Sequence, residues 1–129
     1  MSPPWPPALA GWHRVVETRD PSLIADLLAD DVVFRSPAVY APQQGKAITT
    51  AYLTAALRVL GPTARYTAAW SDNGGAVLEF EAELDDKLVH GVDILRWNAD
   101  DRLTSFTVMV RPVQGLQALI AHMTRALAP

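Results

Sequence analysis

The stretch that decides the fold is VHGVDILRWNADDRLTSFTVMVR, Val89 to Arg111. Two apolar runs rich in β-branched and aromatic residues flank the turn-forming sequence NADD, a pattern that predicts a long β-hairpin. Because side chains alternate between the two faces of a strand, Asp93 lies on the same face as Leu95. That face is otherwise apolar. Its single carboxylate makes Asp93 the principal candidate for a functional residue.

Length and composition indicate a soluble globular protein. The 129 residues, half of them hydrophobic and 19% charged, predict one domain, residues 1–129, with a core of its own. The net charge of −3 and the absence of a basic block exclude nucleic acid as an expected partner. The chain has no cysteine, which rules out disulfides, thiolate zinc sites and a cysteine nucleophile.

The N-terminus and the hydropathy pattern point to a protein that works in the cytoplasm, away from membranes. Residues 1–7 form a Pro-rich extension with no positively charged start and no long apolar run, so we expect no signal peptide. No stretch approaches the roughly 18 apolar residues needed to cross a bilayer. Trp5 lies within this extension and is predicted to pack either on the domain or on a partner.

The remaining elements follow from periodicity and from capping and breaking residues. Asp20 is a suitable N-cap for a second helix that Pro21 begins. The predicted order is a helix at 8–18, a helix at 21–29, a strand at 32–36, a loop at 37–45, a helix at 46–60, strands at 64–71, 76–84, 88–97 and 103–111, and a helix at 114–127.

Helices followed by a run of antiparallel strands predict an α+β fold. We expect a curved antiparallel β-sheet wrapped around the helices, forming a cone with an internal pocket at its open end. On strand parity and helical spacing, the predicted ligand-binding residues that line this pocket are Trp12, Val16, Phe34, Ser36, Tyr52, Leu57, Phe106, Val108 and Val110. A mostly apolar cavity of this kind suits a small hydrophobic ligand.

From Leu9 to about Arg111, the chain resembles the nuclear transport factor 2-like superfamily, which includes ketosteroid isomerase and the SnoaL-like proteins. Three segments carry the resemblance: IADLLADDVVFRSP at 24–37, GKAITTAYL at 45–53 and GVDILRWNADDRLTSFTVMV at 91–110. The resemblance implies the cone fold, a pocket for a small molecule and no cofactor. It also implies a homodimer formed through the outer face of the sheet, where Val92, Ile94 and Met109 lie.

Ketosteroid isomerase uses an aspartate just before a proline as general base, and a tyrosine and a protonated aspartic acid as oxyanion donors. By resemblance, Ser36 occupies the base position before Pro37, Trp12 the tyrosine position and Asp93 the acid position. A serine without a histidine partner does not take a proton at neutral pH. With one of three groups retained, the resemblance does not predict steroid isomerisation by that mechanism.

Two interpretations of Asp93 remain open. As a catalytic residue, its carboxyl would have a pKa raised by burial and would donate a proton or hydrogen bond to a ligand. Alternatively, it is a structural aspartate satisfied by backbone NH groups or a neighbouring side chain. The corresponding functions are an acid/base enzyme of isomerase, cyclase or dehydratase type, and a non-catalytic binding or interaction module with a vestigial pocket.

The other ionisable residues are given minor roles. Parity places Arg35 and Arg96 away from Asp93, which argues against the arginine-bridged aspartate pair of epoxide hydrolases. His90 is predicted on the outer face of the sheet. His13 and His122 lie on helices without partners at metal-ligand spacing, so surface or interface positions are expected for them, and no metal site.

Overall fold

The computed structural model describes residues 5–128; residues 1–4 and 129, and with them the first part of the Pro-rich extension, lie outside the described residues. Helices and strands follow one another in the order that the sequence predicts, apart from the segment between residues 20 and 31 and a two-residue strand within the predicted loop at 37–45. The elements are α1 (Pro7–Thr18), two short 3-10 turns (Pro21–Leu23 and Ala25–Leu27), β1 (Leu28–Arg35), β2 (Gln43–Gln44), α2 (Lys46–Leu60), β3 (Arg65–Ser71), β4 (Gly75–Leu84), β5 (Lys87–Trp97), β6 (Leu103–Arg111) and α3 (Val113–Leu127).

The strands form one six-stranded sheet in the order β2-β1-β6-β5-β4-β3. All neighbouring pairs are antiparallel except β1 and β6, which run parallel, with Phe34 beside Phe106. The curved sheet and its helices confirm the predicted α+β fold. The parallel pair follows from the connection between β1 and the hairpins, because α2 carries the chain across the sheet before β3 begins.

The predicted hairpin is confirmed as β5 and β6. Asp93 pairs with Val108, and Leu95 pairs with Phe106. The turn is held by the side-chain oxygen of Asn98, which accepts hydrogen bonds from the backbone NH groups of Asp100 and Arg102 at 3.0 and 3.1 Å. A carboxamide that bonds the backbone two residues onward is the ordinary reason for an asparagine at such a turn. The pairing within the hairpin therefore places the side chain of Asp93 on the inward face of the sheet.

The prediction of a helix that begins at Pro21 is wrong. Asp20 does cap this segment, since its Oδ1 accepts a hydrogen bond from the Ser22 backbone NH at 3.0 Å. The segment then forms two 3-10 turns, and β1 begins at Leu28, four residues before the predicted strand. The pairing of β1 with β6 shifts register between Leu28 and Val33. This irregularity puts Asp30 in solvent and breaks the alternation by which a strand is recognised.

The helices pack on the concave face of the sheet. From α1, Leu9, Trp12 and Val15 are buried against the inward side chains of the strands. In β5, Gly91 leaves room for Phe80 on the neighbouring strand, because a methyl group at residue 91 would lie 2.8 Å from the tip of the Phe80 ring. Within residues 5–128, no helix has both the length and the apolar composition that crossing a bilayer requires.

Candidate functional site

A cavity of about 290 Å³ lies between the concave face of the sheet and the helices α1, α2 and α3. Its wall is mostly apolar and takes side chains from both sides of the cone. Eight of the nine side chains that the sequence predicts for the pocket are part of this lining: Trp12, Val16, Phe34, Ser36, Tyr52, Leu57, Phe106 and Val108. The structure brings them together from two helices, β6 and the end of β1.

Val110 is the exception, and its predicted place in the lining is wrong. It follows Val108 on the inward face of β6 and pairs with Gly91. There it packs against the cluster that contains Phe80 and Leu119. Side chains from α3 fill this part of the cone, where the sequence predicted that Val110 would line the pocket.

Asp93 lies in the wall of the cavity, with only 8% of its surface exposed. Its Oδ2 atom accepts a hydrogen bond from the Tyr66 hydroxyl at 2.5 Å. The same hydroxyl oxygen accepts a hydrogen bond from the Trp12 indole NH at 2.8 Å. The three residues form a chain in which Trp12 orients Tyr66, and Tyr66 orients the carboxyl group. Among the described residues, Oδ1 of Asp93 has no hydrogen-bond partner, so this oxygen is left for the cavity.

Burial raises the pKa of Asp93 to about 7, and the hydrogen bond from Tyr66 opposes this rise. Burial also raises the pKa of Tyr66 well above its ordinary value, and the nearby Asp93 carboxylate adds to that effect. Tyr66 therefore stays protonated and keeps donating to Oδ2. Since a general acid or base works best with a pKa near the ambient pH, Asp93 is suited at neutral pH to both giving and taking a proton.

Tyr66 is the residue that sequence reasoning missed. It lies on β3, where it pairs with Phe80, and Phe80 pairs with Gly91 on β5. Asp93 is two residues from Gly91 and therefore on the same face. The sequence predicts β3 as a strand, but the contact between Tyr66 and Asp93 depends on the registers of two strand pairs, β3 with β4 and β4 with β5. A register shift just after Tyr66 makes the pairing of β3 with β4 still harder to predict from sequence.

Ser36 lies at the edge of the cavity, directly after β1. Its Oγ accepts a hydrogen bond from the Ala38 backbone NH at 3.0 Å, so the hydroxyl holds the turn that follows. Arg35 pairs with Thr107, which puts Ser36 beside Val108, the partner of Asp93. Two strand spacings separate the serine from the carboxyl, about 10 Å. The Ser36 hydroxyl and the Asp93 carboxyl therefore lie toward different ends of the cavity.

The outward positions of the other ionisable residues agree with parity. His90 lies on the outer face of the sheet, where its Nε2 is 2.6 Å from Oε2 of Glu79. Arg35 and Arg96 are exposed and do not reach Asp93. His122 contacts Asp85 at 3.0 Å. Within residues 5–128, no group of three or more histidine, aspartate and glutamate side chains is placed to hold a metal ion.

His13 was predicted at the surface or at an interface, and another segment of the chain covers part of it. Its ring is half-buried and lies between Trp5 and Tyr66, with ring-centroid distances of 3.7 and 5.5 Å. The prediction relied on the absence of metal-ligand partners. Trp5, which was predicted to pack on the domain or on a partner, lies against His13 on this side of α1.

The fold and the cavity define a protein of the nuclear transport factor 2-like class. The chain belongs to the SnoaL-like domain family, whose profile matches residues 9–106. It is similar to a steroid delta-isomerase from Pseudomonas aeruginosa, with 37% identity, a TM-score of 0.89, and coverage of 93% of this chain and 88% of the other. A cystatin-like protein from Silicibacter pomeroyi is 30% identical over 93% and 84% of the two chains, with a TM-score of 0.86.

More distant neighbours share the fold alone. One is SalBIII, an epoxide hydrolase/cyclase-like enzyme of pyran ring formation in salinomycin, which is 15% identical over 82% of this chain and 89% of that chain, with a TM-score of 0.67. None of the curated proteins matches the chain.

Proposed function

We propose that this protein binds a small hydrophobic molecule in the cavity and that Asp93, in its protonated form, donates a hydrogen bond to an oxygen of that molecule. The observation that carries the proposal is the buried Asp93 carboxyl, held by Tyr66 at 2.5 Å on a cavity wall that is otherwise mostly apolar. Tyr66 occupies Oδ2, so Oδ1 is the atom that faces the ligand. A carbonyl oxygen, which accepts hydrogen bonds and tolerates apolar surroundings, is the group that such a donor would recognise.

The reaction that suits this site is acid/base chemistry without a covalent intermediate: isomerisation, cyclisation or dehydration. As negative charge develops on the substrate oxygen, Asp93 stabilises it by hydrogen bonding or transfers its proton to it. The apolar wall strengthens this interaction because little water competes for the oxygen. Asp93 is the only carboxyl group among the described residues that line the cavity. It therefore serves as acid and, once ionised, as base.

The alternative is a non-catalytic binding module with the same pocket. Ser36 favours it, because its hydroxyl bonds the Ala38 backbone NH and stands where the isomerase mechanism needs a base. Deuterium exchange separates the two functions. An enzyme of the proposed kind accelerates exchange at the α-carbon of bound cyclic ketones, and Asp93→Asn removes that acceleration, whereas a binding module accelerates exchange in neither form.

Ala56→Leu is expected to weaken ligand binding, because Ala56 lines the cavity and the larger side chain fills part of it. The probe is 2-acetonaphthone, an aromatic ketone, and its dissociation constant is measured by titration calorimetry. The matched control is Ala47→Leu, a change on the same helix at an exposed residue. We expect at least a tenfold loss of affinity for the first variant, which corresponds to about 1.4 kcal/mol. Equal affinity in the two variants would place the ketone outside the cavity and contradict the proposal.

We further propose that the protein is a homodimer joined through the outer face of the sheet. Trp70, Val77 and Ile94 form one row across three strands of that face. Trp70 and Met109 are 59% and 55% exposed, which is unusual for large apolar side chains on a sheet. Covering them against a second copy removes this surface from water.

Met109→Glu is expected to convert the dimer to monomer, because the change would bury a carboxylate in the apolar contact between the copies. The mass is measured by sedimentation equilibrium. Val113→Glu, at an exposed apolar residue at the start of α3, is the control that should leave the mass unchanged. If the unmodified protein is monomeric at micromolar concentration, the dimer proposal fails.

A further inference from the structure

The side chain of Trp5 covers one side of α1. Its ring lies on the ring of His13, with a centroid distance of 3.7 Å and an angle of 34° between the planes. His13 in turn meets Tyr66 edge to face, at 5.5 Å and 69°. Three rings are therefore stacked from the N-terminal extension to the residue that holds Asp93. This contact chain reaches the candidate site from outside the cavity.

The surroundings of His13 are those of a shielded ring. Its Nε2 atom is buried and has no hydrogen-bond partner. Burial lowers the pKa of His13, and the Glu17 carboxylate one turn further along α1 opposes this effect. The neutral His13 ring makes no hydrogen bond to water at Nε2, and its packing against Trp5 and Tyr66 offsets this loss.

Tyr66 lies between the cavity and a second, open space on the protein surface. On one side it lines the cavity that contains Asp93. On the other it lines an open hollow of about 560 Å³, together with Trp5 and His13. Val16, Gly61 and Ala64 also border both spaces, and none of them has a large side chain. Tyr66 itself borders the hollow, and the His13 ring, which Trp5 packs against, covers the part of Tyr66 that it contacts.

The charged groups near this stack are few. Glu17 and Arg19 border the hollow, and they lie on or just after α1. Arg65 borders the cavity and is paired with Glu81 at 2.9 Å. None of these four groups is among the causes that shift the pKa of Asp93, which are burial and the bond from Tyr66. Charge on these groups therefore does not account for the raised pKa of Asp93.

We infer that Trp5 and His13 are positioning residues that keep water from the Tyr66–Asp93 pair, so that the N-terminal extension helps to hold Asp93 in its proton-donating form. The inference rests on the proposed role of Asp93. Without Trp5, a larger part of His13 and of the side of Tyr66 that borders the hollow is exposed to water, and the ionised form of Asp93 becomes less costly. The Asp93 pKa then falls. The pKa of His13 rises at the same time, because the same water stabilises its charged form.

Trp5→Ala tests the inference, and Tyr40→Ala is its control, since Tyr40 is an exposed aromatic residue that borders neither the cavity nor the hollow. The titration midpoint of Asp93 is followed by carbon-13 NMR of the aspartate carboxyl groups, assigned by its loss in Asp93→Asn. The His13 midpoint is followed by proton NMR. In Trp5→Ala we expect Asp93 to titrate about one pH unit lower and His13 to titrate higher. In Tyr40→Ala both midpoints stay unchanged.

His13→Phe provides a second variant, because phenylalanine keeps a ring between Trp5 and Tyr66 but cannot ionise. The Asp93 midpoint should remain near that of the unmodified protein. An Asp93 midpoint that is unchanged in Trp5→Ala overturns the inference while leaving the proposed function intact. An Asp93 midpoint near 4 in the unmodified protein would instead refute the proposed proton-donating role itself.

Discussion

Asp93→Asn is expected to be more stable than the unmodified protein at pH 8 and about equally stable at pH 4. Burial raises the folded-state pKa of Asp93 to about 7, well above its unfolded value of 3.8. A group whose pKa is raised by folding stabilises the folded state fully below its unfolded pKa. That contribution is lost as the pH rises from about 4 through 7. Asparagine keeps the shape, accepts the bond from Tyr66 and carries no charge at any pH.

The size of the effect follows from the difference between the two pKa values. It amounts to about 4 kcal/mol in the free energy of unfolding. The measurement is urea unfolding of both proteins at pH values between 4 and 8, followed by circular dichroism. His13 contributes in the opposite direction, since burial lowers its pKa. It is present in both proteins, so it cancels in their difference. A difference that stays constant with pH would show that Asp93 ionises normally.

Tyr66→Phe should move the pH dependence of ligand binding upwards. In the unmodified protein, affinity for an aromatic ketone falls as the pH passes about 7, because ionised Asp93 cannot donate to the carbonyl oxygen. The bond from Tyr66 favours the ionised form of Asp93. Removing it raises the pKa of Asp93 further and extends binding to higher pH. The affinity of 2-acetonaphthone, measured between pH 5 and 9, locates the midpoint.

The same variant loses stability at every pH, because the buried Trp12 indole NH loses its acceptor. An unsatisfied buried donor costs about 1–3 kcal/mol. Tyr52→Phe is the control: Tyr52 lines the same cavity beside Phe34, with a ring-centroid distance of 5.4 Å, and has no bond to Asp93. It should change neither the midpoint nor, by much, the stability. A midpoint that moves equally in both variants would point to cavity polarity in general rather than to the Tyr66 bond.

Local patterns in the sequence determined the hairpin, the face of Asp93 and the α+β fold. Alternation over Val89 to Arg111 and the turn residues between the two strands act over short distances, so a single sequence displays them. The same reasoning identified Trp12 and Phe106 as neighbours of one pocket, since helical spacing and strand parity give the inward side of each element. It also predicted that Ser36, directly before Pro37, lines that pocket.

Tertiary structure alone decided what surrounds Asp93. Its bond to Tyr66 needs the registers of β3 with β4 and of β4 with β5, and register depends on packing across the whole sheet. Val110 was excluded from the lining by side chains of α3, and His13 was covered by Trp5 from outside its helix. The carboxyl that the sequence marked as an anomaly therefore acquires its raised pKa from burial by segments distant in the chain, which no local pattern encodes.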